Sequence, residues 1–243
     1  CGGATPGSKQ QVLLNLSRLN SIRAIDAIGF TTTVDAGAIL ANVRAAVAEQ
    51  GLFFPLSMGS EGSCQIGGNL STNAGGLAVL RYGTARELVL GLEVVLANGE
   101  VLNLLSALRK DNTGYDLKSL FLGAEGTLGI ITGAVLKLFP APSEYQTAWL
   151  VVADSDSVCQ LLALTRRLSG DTVTSFEYVS QLALQLVGEH IDGVRLPLTG
   201  AAEHQVLLEL SGPLPVDSLR PCLEEILQQG MAAGLVLDGV LAE

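Results

Sequence analysis

The chain has 243 residues, of which 48% are hydrophobic, and a formal net charge of −10. This length suffices for one large or two modest domains, and the apolar content excludes a disordered chain. The acidic balance disfavours a nucleic-acid partner or an anionic membrane surface, and no apolar run is long enough to predict a transmembrane segment.

The four cysteines lie far apart and form no CxxC pair: Cys1, Cys64, Cys159 and Cys222. Scattered cysteines of this kind predict reduced thiols and an intracellular, cytoplasmic setting. No charged-then-apolar leader is visible, and a mitochondrial matrix location stays open if a longer precursor carries one.

The residue patterns between the N-terminus and residue 55 predict three strands and one helix. The strands are expected at 11–16, 22–25 and 31–35, the last being rich in β-branched residues that suit a pleated surface. A stripe of Leu40, Val43 and Val47 predicts a helix over 37–50, which Gly51 ends.

Residues 55–76 form a glycine-rich loop with six glycines and many small polar side chains. Glycine lets a ligand approach backbone N–H groups, and successive N–H groups in such turns form concave anion sites. We therefore predict that a phosphorylated cofactor lies along this loop, with one helical turn at 70–74 placing N–H groups toward an anion. The spacing matches neither a P-loop nor the Rossmann fingerprint. A flexible linker is the alternative, which the apolar Ile66 and Leu70 disfavour.

Beyond the loop, alternating leucines and valines predict a strand over 87–96, and Asn98–Gly99 predicts a two-residue hairpin to a return strand from Val101. A short helix over 115–122 and a strand over 128–139 follow. The prolines at 140 and 142 then predict a domain boundary.

The second part alternates strands and helices, which predicts an α+β sandwich of the ferredoxin-like kind. The expected strands are 147–153, 173–178, 205–210 and 236–241, and the expected helices are 157–168, 180–189 and 216–233.

Three smaller features can be interpreted from their residues. The turn at 123–130 either feeds a buried strand or contacts a cofactor, and the polar patch at 110–116 is interpreted as a solvated turn in which Asp116 caps the helix that follows. The segment 81–83 reaches a phosphate, stacks, or forms a surface hairpin. His190 and His204 are isolated, so no metal site is predicted from this chain, and Arg195 is expected at the surface.

Several long motifs occur in a fixed order: 55–76, 81–83, 98–99, 109–118 and 123–132. In this order they resemble the FAD-linked dehydrogenases of the vanillyl-alcohol-oxidase type, with a PCMH-type FAD-binding domain. Within that superfamily the chain is most similar to the branch that acts on D-2-hydroxyglutarate, D-lactate or glycolate.

The resemblance implies an α+β fold in two parts. Residues 1–142 would be the FAD-binding domain without its N-terminal subdomain, and residues 143–243 a partial ferredoxin-like cap domain. The chain would be an internal fragment, inactive alone, of an FAD-dependent dehydrogenase that oxidises a 2-hydroxy acid by hydride transfer to the flavin.

The resemblance also implies partners and site residues. A protein or quinone-linked electron acceptor, a homodimer, and a zinc-type divalent metal in the missing C-terminal part are expected, and no catalytic residue can be assigned. The implied FAD contacts fall into four groups. One lies at the pyrophosphate, one along the phosphate and ribityl chain, one on the flavin side, and one on the strand opposite. They are Gly2, Gly3, Pro55, Gly62, Ser63, Ile66, Gly67, Gly68, Asn69, Thr72, Asn73, Gly75, Gly76, Tyr82, Glu125, Gly126, Gly129 and Ile130.

Two other functions are compatible with the sequence. The chain could be a non-catalytic flavin-binding module or one half of a split flavoprotein. It could also belong to an oxidase of the same fold that takes an alcohol, a sugar lactone or an alkyl-glycerone phosphate.

Overall fold

The computed structural model describes residues 5–198, 202–213 and 215–242. Helices and strands are interspersed along the described chain. In order they are β1 Ile22–Asp26, β2 Thr31–Asp35, α1 Leu40–Ala48, β3 Leu52–Phe53, α2 Ile66–Ser71, α3 Val79–Tyr82, β4 Val89–Val95, β5 Val101–Leu104, α4 Lys118–Phe121, β6 Ile130–Lys137, β7 Phe139–Pro140, β8 Glu144–Val152, α5 Ser155–Leu168, β9 Val173–Ser180, α6 Gln181–His190, β10 His204–Gly212, α7 Leu219–Ala232 and β11 Val236–Leu241.

The chain divides into two compact units. The first runs to Gly75 and then from Thr84 to Phe139, and the second combines Gly76–Gly83 with the chain from Pro140 onward. Helix α3 lies in the second unit and packs against β9.

A five-stranded antiparallel sheet, β1-β2-β6-β4-β5, forms the centre of the first unit. The predicted stripe of α1 is confirmed, because Leu40, Val43 and Val47 are all buried. Burying one apolar face of a helix in this way stabilises it far more than its intrinsic propensity does.

The hairpin between β4 and β5 is confirmed, but its loop differs from the prediction. Leu96 donates its N–H to the carbonyl of Glu100, so the loop has three residues rather than two. Gly99 closes it with a φ of 87°, the left-handed conformation that such loops require at this position.

The predicted strand at 11–16 is wrong. Among the described residues no strand pairs with this stretch, and its neighbouring backbone bonds are local turns from Gln11 to Ser8 and from Leu19 to Leu16. Val12 is 92% exposed, so neither a hydrogen-bonded ladder nor a buried face holds the segment in a sheet.

In the second unit the four strands are antiparallel and follow the order β11-β8-β10-β9. With α5 after β8 and α7 after β10, this is the strand order of a ferredoxin-like sandwich, into which α6 is inserted. Apolar residues of β8, β10, α5 and α7 form its core, Leu150, Leu161, Leu208 and Leu223 among them.

Two carboxylates accept hydrogen bonds from backbone N–H groups at the N-termini of helices in this unit. Asp154 accepts the N–H of Ser157 at 2.7 Å and caps α5, while the buried Glu144 accepts the N–H groups of Ser218 and Leu219 at 2.9 and 3.0 Å at the start of α7. None of the helices in the described ranges combines the length and the apolarity that a bilayer crossing requires.

Candidate cofactor-binding site

Helix α2 lies inside the glycine-rich loop and begins at Ile66, four residues before the predicted start. Ile66 and Gly67 donate their N–H groups to the carbonyls of Ala38 and Ala36, at 2.9 and 2.7 Å. These bonds attach the helix to the connection between β2 and α1. They also mean that these two N–H groups are used within the protein and do not point toward an anion.

Two adjacent glycines in α2 have different surroundings. A Cβ added to Gly67 would lie 2.7 Å from the Cβ of Ala36, so packing requires glycine there. A Cβ added to Gly68 would have no atom within 4 Å, and the same holds for Gly62. Bare backbone therefore faces open space at Gly62 and Gly68, which is the surface that a close-lying dinucleotide needs.

Side chains anchor the loop on either side of this surface. Arg44 of α1 binds the Glu61 carboxylate, and it donates to the Ser57 hydroxyl at 3.3 Å. Asn69 is buried, and its amide donates to the Cys64 sulfur at 3.5 Å. Asn69 thus supports the loop from within, and its own N–H donates to the Gln65 carbonyl at 3.0 Å.

The second predicted cofactor segment lies against the end of α2. Gly123 donates its N–H to the Leu70 carbonyl at 3.0 Å, and Glu125 donates to the Ser71 carbonyl at 2.9 Å. The structure therefore brings the two predicted segments together through residues that are more than fifty positions apart in the chain.

Both segments contain left-handed backbone at this junction. Asn73 and Glu125 have φ values of 50° and 52°, and Gly123 and Gly126 have φ values of 80° and 78°. A non-glycine residue in this region costs energy and persists only where its surroundings fix it. For Asn73 the fixing contact is its side-chain oxygen, which accepts the N–H of Arg86 at 2.9 Å.

The packing of neighbouring strands is enough to explain why position 129 is a glycine, and no ligand is needed. A Cβ there would lie 2.7 Å from Val94 Cγ1 and 3.0 Å from the Val95 carbonyl, so the start of β6 needs glycine to approach β4. The structural interpretation of the segment 123–130 therefore accounts for Gly129, while the turn before it bonds to the end of α2 and its contact with a cofactor stays a prediction.

The remaining residues predicted to contact FAD differ in how far they are exposed. Pro55 is buried and Ile130 is half-buried, while Ser63 and Thr72 are exposed and donate to the carbonyls of Ser60 and Gly68. Gly75 is half-buried in the first unit. Gly2 and Gly3 lie outside the described residues.

Gly76 and Tyr82 belong to the second unit. The segment 81–83 forms the end of α3 rather than a hairpin, with the Arg81 guanidinium 5.2 Å from the centre of the Tyr82 ring and bonded to the Ser211 carbonyl. Burial raises the pKa of the Tyr82 hydroxyl more than the neighbouring Arg81 lowers it, so the phenol stays neutral.

The polar patch at 110–116 ends in an ion pair. Asp116 binds the Lys118 ammonium at 2.7 Å and accepts the Ser119 hydroxyl at 2.8 Å, and the hydrogen bond from Lys118 is the main cause of its lowered pKa. Asp116 thus holds the first turn of α4 through side chains.

The histidines and cysteines show no metal-binding geometry in the part of the chain that the structure describes. His204 shares a hydrogen bond of 2.8 Å with the Tyr178 hydroxyl. Cys64, Cys159 and Cys222 are free thiols.

Comparisons with known proteins identify relatives along the whole chain. Residues 1–105 match a family model described as an FAD binding domain. The chain is 41% identical over 242 residues to the mitochondrial D-2-hydroxyglutarate dehydrogenase of Arabidopsis thaliana, covering 100% of this chain and 43% of that protein. It is 41% identical over 243 residues to the Bos taurus protein of the same name, covering 99% of this chain and 43% of that protein.

Among solved structures, the chain is similar to an alkyldihydroxyacetonephosphate synthase. The TM-score is 0.72 at 22% identity, and the match covers 92% of this chain and 43% of that one. A likeness at this identity shows the fold alone. The chain spans less than half the length of the curated relatives that it matches.

Proposed function

Because residues 1–105 belong to the FAD-binding domain family and the whole chain is homologous to D-2-hydroxyglutarate dehydrogenases, we propose that the complete protein oxidises a D-2-hydroxy acid to the 2-oxo acid with FAD. The observation that carries the proposal is the junction of the two glycine-containing turns. The Glu125–Ser71 backbone bond of 2.9 Å holds them together at the end of α2, the helix that carries the open backbone of Gly68.

The residues of this junction fit a dinucleotide. Gly62 and Gly68 present backbone with open space above it, and the left-handed turn that contains Gly123 and Gly126 lies against the end of α2. We propose that 62–69 meets the phosphates and ribityl chain, that 72–76 lines the flavin side, and that 125–130 approaches from the opposite strand. Gly2, Gly3, Pro55 and Tyr82 complete the proposed set.

The chemistry requires a two-electron acceptor, which FAD would supply when bound. Oxidation of a 2-hydroxy acid removes a hydride from Cα and a proton from the hydroxyl group. The residues of this chain bind and orient the cofactor. We propose that the base, the groups that hold the substrate carboxylate, and a divalent metal of the zinc type come from the part of the relatives' length that this chain does not span.

We further propose D-2-hydroxyglutarate as the preferred substrate, because two relatives with 41% identity carry that name. Lactate and glycolate are the smaller members of the same class. An electron acceptor, protein or quinone-linked, and a homodimer belong to the same proposal. The compartment is a reducing one, and the mitochondrial matrix is favoured over the cytoplasm because both relatives are named as mitochondrial.

The test is flavin retention followed by anaerobic reduction. The full-length protein is loaded with FAD, desalted and examined by visible absorption. It is then mixed without oxygen with D-2-hydroxyglutarate, D-lactate or glycolate, with L-2-hydroxyglutarate as the control. We expect a yellow protein whose absorption is bleached fastest by D-2-hydroxyglutarate and not by the L-enantiomer.

Each alternative gives a different result. A protein that is colourless after desalting contradicts FAD binding. A yellow protein that no hydroxy acid bleaches is a flavin-binding module without this activity. Bleaching by an alcohol, a sugar lactone or an alkyl-glycerone phosphate alone keeps the cofactor and replaces the substrate class.

A further inference from the structure

Arg86 lies between the two turns of the proposed cofactor site and bonds to both sides of the junction. Its own backbone N–H donates to the side-chain oxygen of Asn73 at 2.9 Å, at the end of the first segment. Its guanidinium donates to the carbonyls of Ser119 at 2.6 Å and Leu122 at 2.5 Å, just before the second turn. One residue thereby contacts the end of the glycine-rich loop, α4 and the entry to the second turn.

These contacts close a ring of hydrogen bonds. From Asn73 the ring passes through Arg86 to the Leu122 carbonyl, and from the adjoining Gly123 N–H to Leu70 at 3.0 Å. Gly123 lies next to both residues of the ring, because a Cβ there would lie 3.3 Å from the Asn73 Cβ and 3.5 Å from the Arg86 Nη2. The positions of the two turns relative to each other therefore depend on the Arg86 guanidinium as well as on the backbone bonds.

The chemistry of arginine suits this position. A guanidinium presents several N–H donors in a fixed planar fork and bonds two carbonyls at once, whereas a lysine ammonium is a point donor on a flexible stem. Bonds from a charged donor to carbonyl oxygens are stronger than neutral ones. The last carbonyls of a short helix are also the groups for which a cation is the favoured partner.

We propose that Arg86 is a positioning residue for the cofactor, which fixes the second turn against the glycine-rich loop at the spacing that FAD needs. The inference rests on the proposed function, since it assigns a role in the same site. Neither composition nor motif spacing distinguishes Arg86 from other arginines in the sequence. Its side chain donates to two carbonyls that lie near it only in the folded chain.

The test compares Arg86 with a matched arginine of the same unit. Arg109 likewise donates to two backbone carbonyls, those of Phe30 at 3.2 Å and Leu138 at 3.3 Å, but it has no bond to either turn. The full-length protein and the variants Arg86→Met, Arg86→Lys and Arg109→Met are titrated with FAD. Thermal unfolding and the visible circular dichroism of the FAD-saturated proteins are recorded in parallel.

We expect Arg86→Met to weaken FAD binding by roughly 10- to 100-fold, the range typical when a residue that supports a binding group is removed. Arg86→Lys should recover part of this loss because it restores one of the two bonds. The visible circular dichroism at saturating FAD should change only in the Arg86 variants. Arg109→Met should lower the melting temperature to a similar degree and leave FAD affinity within about twofold.

Two outcomes overturn the inference. One is an Arg86→Met protein that binds FAD as tightly as the wild type. The other is a loss of affinity that follows the melting temperature equally in the Arg86 and Arg109 variants, which would mean a general structural role. If Arg86→Met does not fold, the comparison of Arg86→Lys with Arg109→Met decides. A wild-type protein that binds no FAD defeats the proposed function itself, which is a separate result.

Discussion

Two adjacent glycines in α2 should respond differently when each is replaced by alanine. One replacement should lower the stability of the fold, and the other should weaken cofactor binding. Gly67 and Gly68 both lie in Ile66–Ser71, so alanine gains about the same helix propensity at each position. That gain cancels when the two variants are compared. What remains is the difference in the space available to the added methyl group.

At Gly67 the methyl group would collide with a part of the protein that cannot easily move. Its Cβ would lie 2.7 Å from the Ala36 Cβ and 3.1 Å from the Ala36 carbonyl, and Ala36 is only 1% exposed. The backbone of Ala36 is further held by its N–H bond of 2.9 Å to Thr132. Overpacking of this kind typically costs about 1–3 kcal/mol.

At Gly68 the methyl group meets no protein atom within 4 Å. Gly67→Ala should therefore be less stable than Gly68→Ala by about 1–3 kcal/mol, which corresponds to a melting temperature lower by about 2–12 °C for a folding unit of about 150–250 residues. The assay is thermal unfolding of both variants beside the wild type, with FAD titrations on the same samples.

For FAD affinity the order of the two variants should be reversed, and Gly68→Ala should be the more strongly affected. Gly68→Ala should keep or slightly raise the melting temperature of the cofactor-free protein, and weaken FAD binding by about tenfold if the methyl group occupies the space of the ribityl or phosphate groups. Equal stability of the two variants would refute the packing argument. Wild-type FAD affinity in Gly68→Ala would show that the cofactor does not lie on this face of α2.

Three further predictions concern groups with defined partners. Asn73 combines a φ of 50° with a hydrogen bond to Arg86, so Asn73→Gly should lose the bond alone and Asn73→Ala should be about 1–2 kcal/mol less stable still, measured by denaturant unfolding. Burial alone would raise the pKa of Glu144, but hydrogen bonds from Leu219, Gln146 and Ser218 outweigh it and hold the pKa below its ordinary value. Since the folded-state pKa is the lower one, the stability it contributes is present above the unfolded-state pKa and is lost as pH falls through the folded-state pKa. The melting-temperature gap between wild type and Glu144→Gln should thus be widest near neutral pH and close in acid, and a gap independent of pH would contradict this. Arg23 binds Asp35 at 2.6 Å and Glu93 at 3.0 Å, so Arg23→Met should cost about 1–2 kcal/mol in unfolding experiments at neutral pH, between the values of exposed and buried pairs, and an unchanged stability would show that these carboxylates are solvated without it.

Local patterns predicted much of the fold. The β-branched run at 31–35 is β2, the stripe of Leu40, Val43 and Val47 is buried in α1, and residues 236–241 form β11. In α1 the spacing of the apolar residues matches the buried face, and in β2 the β-branched residues match a strand, so the local pattern and the structure agree. The strand wrongly predicted at 11–16 has equally apolar residues, but a strand also needs a partner, which its own sequence cannot reveal.

For the site, the sequence identified which segments matter but not how they are held. The glycine pattern indicated both turns, yet it gave no means of separating Gly67 and Gly129, which packing requires, from Gly62 and Gly68, whose added Cβ atoms would meet nothing. Arg86 was missed because a single basic residue before a strand carries no periodic or motif signal.

The sequence by itself determined the identity of the bare-backbone segments and the alternation of strands and helices, because glycine conformation and apolar periodicity are properties of neighbouring residues. The tertiary structure alone decided that the turn at Gly123 meets the end of α2, that α2 starts at Ile66, and that Gly76–Gly83 groups with the second unit. These depend on hydrogen bonds and packing between residues distant in the chain, and no local pattern encodes such a partner.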